Sequence, residues 1–97
     1  MNVLVIDVGG THVKVLRTPP AVPGDDPALK LPSGPDLTAA AMVEAVRAAT
    51  AGWTYDAVSI GYPGPVKRGR PAAEPHNLGP GWVEFDYDAA FGRPVRI

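Results

Sequence analysis

The sequence predicts an α/β fold with a mixed sheet that begins in a β-hairpin meander. Three observations carry this prediction. Val3-Leu4-Val5-Ile6 is an unbroken apolar run rich in β-branched residues, which reads as a strand buried on both faces. Asp7-Val8-Gly9-Gly10-Thr11 follows, and His12-Val13-Lys14-Val15-Leu16-Arg17 then alternates polar and apolar with period two. The unit is therefore strand, Gly-Gly turn, strand, and not the strand-to-helix passage of a dinucleotide or P-loop site. Further along, a helix-period segment stands between two strand-like runs, the pattern of a parallel crossover. One reading of the hairpin is a tight turn whose glycines supply positive φ. The other sets the turn amides and the Thr11 hydroxyl against a phosphate while Asp7 faces a metal ion.

The bulk numbers restrict the class. A chain of 97 residues has room for one core and one packed sheet. With 9 Lys+Arg against 10 Asp+Glu, bulk charge does not favour a polyanion such as nucleic acid. The absence of cysteine excludes a disulfide framework and a thiolate metal site in this sequence. The opening apolar run lacks a basic leader and is too short for a signal peptide or membrane span, so a cytoplasmic protein is expected. The 12 prolines and 11 glycines cluster between apolar segments, which reads as folded protein with long connections.

In chain order, the second strand ends near Thr18, because Pro19-Pro20 cannot continue a paired strand. Residues 21–27 read as a turn or loop, and Ala28-Leu29-Lys30-Leu31 as a short third strand before the break at Pro32-Ser33-Gly34-Pro35. Asp36-Leu37-Thr38 offers N-cap candidates for a helix running to about Ala51, with Gly52 as its stop. Met42, Val46, Ala49 and Trp53 form its expected buried stripe, with Glu44 and Arg47 opposite. Asp56-Ala57-Val58-Ser59-Ile60-Gly61 is the next strand and leads into Tyr62-Pro63-Gly64-Pro65-Val66. Loops leaving the carboxyl ends of parallel strands are where ligands bind, and Gly64 would let a substrate approach the backbone; a ligand-free Pro/Gly turn explains the same residues.

Lys67-Arg68-Gly69-Arg70 reads as solvated surface, or as a patch that draws in a phosphate-rich donor. Glu74-Pro75-His76-Asn77-Leu78-Gly79-Pro80-Gly81-Trp82 is dense in groups that read hydroxyl-rich ligands. Asn77 leads there, because an amide both donates and accepts, while His76 is as readily a surface residue. Residues 86–91 predict a helical turn closed by Gly92, and Arg93-Pro94-Val95-Arg96-Ile97 begins a further strand.

Asp7-Val8-Gly9-Gly10-Thr11 resembles the phosphate-binding hairpin of the sugar-kinase, Hsp70 and actin superfamily. Taken in order with Ser59-Ile60-Gly61-Tyr62-Pro63-Gly64-Pro65, Asn77-Leu78 and Trp82, and Arg93-Pro94-Val95-Arg96-Ile97, it resembles the N-terminal lobe of a ROK-family sugar kinase over essentially the whole chain. The nearest branch is the glucokinases, polyphosphate glucokinases included. The resemblance implies a ribonuclease-H-like lobe of the actin/hexokinase/Hsp70 superfamily. It also implies Mg²⁺-assisted transfer of a phosphoryl group from ATP or polyphosphate to a hexose, glucose first.

Position by position, Asp7 would serve the Mg²⁺ and phosphate end, and Gly9, Gly10 and Thr11 would hold phosphates. Gly64 and Asn77 would belong to the sugar side, with Glu74 and His76 beside them. The family's general-base Asp would lie just beyond Ile97, so residues 1–97 would form a lobe truncated before that group and inactive alone. The second lobe would then be its missing partner, and the completed kinase a homo-oligomer. A non-catalytic sugar- or phosphate-binding module, or one half of a split kinase, is the alternative. A ROK repressor is disfavoured, because the hairpin begins at Val3 and leaves no room ahead for a helix-turn-helix.

Overall fold

The computed structural model describes residues 1–19 and 28–97, and the turn expected over residues 21–27 lies outside them. β1 (Val3–Val8), β2 (His12–Thr18) and β3 (Leu29–Pro32) form the antiparallel meander, in which Asp7 pairs with Lys14 and Lys14 with Lys30. α1 (Ala39–Ala49) crosses to β4 (Ala57–Gly61), which runs parallel to β1 with Asp7 beside Gly61. A short hairpin of β5 (Val66–Lys67) and β6 (Arg70–Pro71) forms a separate two-stranded sheet. α2 (Tyr87–Phe91) then leads to β7 (Val95–Arg96), parallel to β4. The main sheet has the order β3-β2-β1-β4-β7 and is mixed, as expected.

One face of this sheet makes the core. Leu4, Ile6 and Val8 of β1, Val13 and Val15 of β2, and Val58 and Ile60 of β4 cluster with Met42, Val43 and Val46 of α1 and with Tyr87 and Phe91 of α2. Each large side chain so buried contributes about 1.5–3 kcal/mol relative to exposure. The expectation that the first strand is buried on both faces is corrected. Val3 and Val5 are half-buried and Asp7 is exposed, because both helices pack on the side of Leu4 and Ile6. The other face carries Asp7, Lys14 and Lys30 in one row across three strands, all exposed.

α1 is shorter than expected. Thr38 is its N-cap, its side chain accepting from the Ala41 amide at 3.1 Å. The far end is capped by Thr50, whose amide and hydroxyl both donate to the Val46 carbonyl, so the helix stops before Gly52. Met42 and Val46 are buried and Ala49 is half-buried, but Trp53 lies past the helix, with the Arg17 guanidinium 5.8 Å from its ring centroid. α2 is the expected turn, capped by the Asp86 side chain on the Ala89 amide and closed by Gly92 at φ 67°.

The basic stretch at 67–70 turned out to be a hairpin tip. Arg68 and Gly69, at φ 54° and 73°, make a two-residue turn of the left-handed kind that suits hairpins. Arg70 acts as a strut, with its side chain still 43% exposed. Its guanidinium donates to the Val95 carbonyl at 2.7 Å and pairs with Asp88, fastening the hairpin to α2 and β7.

Candidate functional site

Two stretches singled out in the sequence meet at the carboxyl edge of β1 and β4. Parallel strands end there together, so Asp7 and Gly61 leave the sheet side by side, with the hairpin turn on one flank and the 61–65 loop on the other. Asp7 is exposed, and a Cβ added at Gly61 would stand 3.2 Å from its Oδ1. The carboxylate therefore leans over the bare backbone of Gly61. Lys14 and Lys30, in the same row, bring positive charge to this edge. Neither lysine belongs to a recognisable motif, although period two places Lys14 on the outward face of its strand.

The two turn glycines are present for different reasons, and neither is positive φ. A Cβ at Gly9 would meet the His12 carbonyl oxygen at 2.9 Å, and the Gly9 amide donates to that same oxygen at 3.0 Å. Close packing of the hairpin on itself requires glycine there. Nothing stands within 4 Å of the corresponding position at Gly10, and among the described residues neither the Gly10 nor the Thr11 amide donates a hydrogen bond. The fold leaves Gly10 without a steric or conformational need for glycine, and leaves open space over two bare donors. The turn is also gripped from outside by Ser33, whose hydroxyl donates to the Gly9 carbonyl at 2.7 Å and whose amide donates to the Thr11 carbonyl at 3.1 Å.

The loop at 74–82 is anchored to the segment that follows Ser33. The Gly79 amide and the Trp82 indole both donate to the Leu37 carbonyl, at 2.8 and 3.2 Å. A Cβ at Gly79 would lie 2.9 Å from the Asp36 carbonyl oxygen, so only glycine permits this approach. Trp82 is fully buried, its ring centroid 5.8 Å from that of Tyr62, and the Tyr62 hydroxyl donates to the Ala73 carbonyl. Burial, and then the nearby Glu74 carboxylate, raise the Tyr62 phenol above its ordinary value. Burial raises the Tyr87 phenol strongly as well, and its hydroxyl donates to the Trp82 carbonyl.

The sugar-side candidates divide. Glu74 spends both carboxylate oxygens on backbone, accepting from the Trp82 amide at 3.0 Å and the Val83 amide at 2.9 Å. These bonds hold its carboxyl below the usual carboxylate range. Gly64 has an internal reason for lacking a side chain, since a Cβ there would stand 2.9 Å from the tethered Tyr62 ring. His76 and Asn77 are exposed, and among the described residues their side chains make no hydrogen bond, which leaves them available to a ligand. Arg68 joins Arg70 and Arg96 around a cavity of about 640 Å³, concentrating positive charge at the β5–β6 hairpin.

Glu74 gives a pH prediction. A carboxyl lowered in the folded state contributes stability that is present above its unfolded value and lost as pH falls through the folded one. Glu74→Gln can accept only one of the two amides, so it should cost about 1 kcal/mol at neutral pH, discounted for exposure. Urea unfolding of both proteins from neutral to acid should show that gap closing below about pH 4. A gap independent of pH would mean that shape, not charge, closes the loop.

Neither a protein-family model nor a curated protein sequence matches the chain. Among solved structures, it is similar to a ROK family glucokinase from Streptomyces griseus, determined in complex with glucose and AMPPNP. Sequence identity is 25%, with a TM-score of 0.62 over 100% of this chain. The match spans 32% of that glucokinase, so the chain corresponds to about a third of its structural neighbour.

Proposed function

We propose that residues 1–97 form the donor-and-sugar lobe of a ROK-type hexose kinase, transferring a phosphoryl group from ATP or polyphosphate to a sugar hydroxyl, glucose foremost. The observation that carries this reading is the open Gly10 turn, whose amides donate no hydrogen bond among the described residues, set beside Asp7 at the carboxyl edge of parallel strands. The similarity of the whole of this chain to 32% of a glucokinase determined with glucose and AMPPNP supports it.

In this reading the Gly10 and Thr11 amides and the Thr11 hydroxyl hold phosphate oxygens, with Gly9 shaping the turn, while Lys14 and Lys30 attract the donor. Asn77 and His76 read the sugar hydroxyls. Glu74 and Gly64 act one step behind them, by shaping the loops. Among the described residues no group of three or more His, Cys, Asp or Glu lies together, so a caged metal does not fit. A Mg²⁺ shared with phosphate oxygens and water does fit, because such ions use only one or two carboxylates, and Asp7 offers one. When bound, the ion neutralises charge on the transferred group. The general base expected just beyond Ile97 and the second lobe's share of the nucleotide site lie outside residues 1–97, so in this reading these residues alone bind without turning over.

Gly10→Ala tests the reading. Alanine fits this backbone, so the melting temperature should hold or rise slightly. The added methyl occupies the space over the amides, so affinity for Mg²⁺-AMPPNP should fall about tenfold, or 1.4 kcal/mol. Titration of ¹⁵N-labelled protein should move the Gly9, Gly10 and Thr11 amides in the parent chain. Equal affinity in Gly10→Ala, or shifts confined to other residues, would overturn the assignment.

A further inference from the structure

We propose that Ser33 aims the hairpin's amide donor at a phosphate and is thus a positioning residue for phosphate binding. The inference rests on the phosphate-hairpin reading above. Ser33 stands just past β3, 24 residues from Gly9, and holds the turn at two points. Its hydroxyl draws the Gly9 carbonyl and its amide draws the Thr11 carbonyl. A trans peptide unit is planar, so a carbonyl and the N–H that follows it point in opposite directions. With the Gly9 carbonyl drawn toward Ser33, the Gly10 N–H is turned away from it and donates no hydrogen bond among the described residues.

A two-residue hairpin turn is ordinarily fixed by positive φ at its central residues. The Gly9 amide bonds the His12 carbonyl, so Gly10 and Thr11 are the central residues here; neither has positive φ, and the clasp supplies the fixation that residue conformation does not. The hydroxyl bond is part-buried, which protects it from competition with water. A donor held in place before the ligand arrives needs no ordering on binding, whereas a rocking turn does. Ser33 touches no ligand in this scheme. It acts through the Gly9–Gly10 peptide.

The test compares the parent chain with Ser33→Ala and Ser33→Thr, using Mg²⁺ tripolyphosphate as the probe. The parent should bind with a shift of the Gly10 amide. Ser33→Ala should bind about tenfold more weakly, with little change in melting temperature, and its Gly10 amide should already be displaced without ligand. Ser33→Thr keeps the hydroxyl and should restore both readouts. Parent-like binding by Ser33→Ala would overturn the role of Ser33 and leave the hairpin reading intact. A parent chain that binds no tripolyphosphate would overturn the hairpin reading and this inference with it. Should Ser33→Ala not fold, Ser33→Cys, of similar size and a weak donor, takes its place with the same expectations.

Discussion

Trp82→Ala should lower the melting temperature by more than about 12 °C, from a loss of about 3–5 kcal/mol. Trp82 is fully buried and serves several elements at once. Its indole N–H reaches the Leu37 carbonyl, its ring meets Tyr62, its amide is bound by Glu74 and its carbonyl by the Tyr87 hydroxyl. Truncation keeps the two backbone bonds but empties the volume between Tyr62 and the start of α1. Because a small domain has only about 5–15 kcal/mol in total, a loss of this size would leave a measurable unfolded population. Trp82→Phe should recover most of the stability, because the Leu37 carbonyl still accepts from Gly79. Differential scanning calorimetry of the three proteins decides the matter. A shift under about 4 °C for Trp82→Ala would mean that the 74–82 loop is not part of the cooperative unit.

Asp7→Ala carries the largest functional effect. In a full-length kinase bearing this lobe, turnover should fall by roughly a hundredfold or more while glucose affinity changes less than about twofold. The separation follows from position. Asp7 sits beside the Gly9–Gly10 turn at the end of β1, whereas the exposed polar side chains His76 and Asn77 stand on the loop tethered to Leu37. Asp7 is also exposed and, among the described residues, makes no side-chain hydrogen bond or ion pair, so its removal should cost little stability. Initial rates with varied glucose and varied Mg²⁺ measure both quantities. Equal loss of turnover and glucose affinity would make Asp7 a structural residue.

The local rules were legible and the partnerships were not. Period two in His12-Val13-Lys14-Val15 revealed β2, Thr38 announced α1, and Asp86 with Gly92 bracketed α2. Each signal lies within a few residues of the element it marks. The one-sided burial of β1 was hidden because Val3 and Val5 are as apolar as Leu4 and Ile6, and only the placement of two distant helices tells the faces apart. The β5–β6 hairpin was hidden for another reason, since strands of two residues show no periodicity. Glu74 and Gly64 have the chemistry of ligand contacts, yet Glu74 meets amides eight and nine residues away and Gly64 yields to the Tyr62 ring. Ser33 looked like loop punctuation because its partners belong to another hairpin. Residue type and spacing pointed to the edge where the candidate groups gather, while folding alone decided which of them stay unengaged.

The short run from Ser33 to the start of α1 ties the hairpin turn to the loop at 74–82, and these two are its flanks. Ser33 fixes the hairpin turn, the Leu37 amide bonds back to the Gly34 carbonyl, and the Leu37 carbonyl takes the loop at 74–82. The gap between the two flanks is therefore set like the span of a gauge block, not like the opening of a pair of tongs. A ligand that reaches from one flank to the other must match that span on arrival. Under the proposed reading, a bridging ligand would meet a separation fixed by one short segment of this chain, and length would be its first criterion.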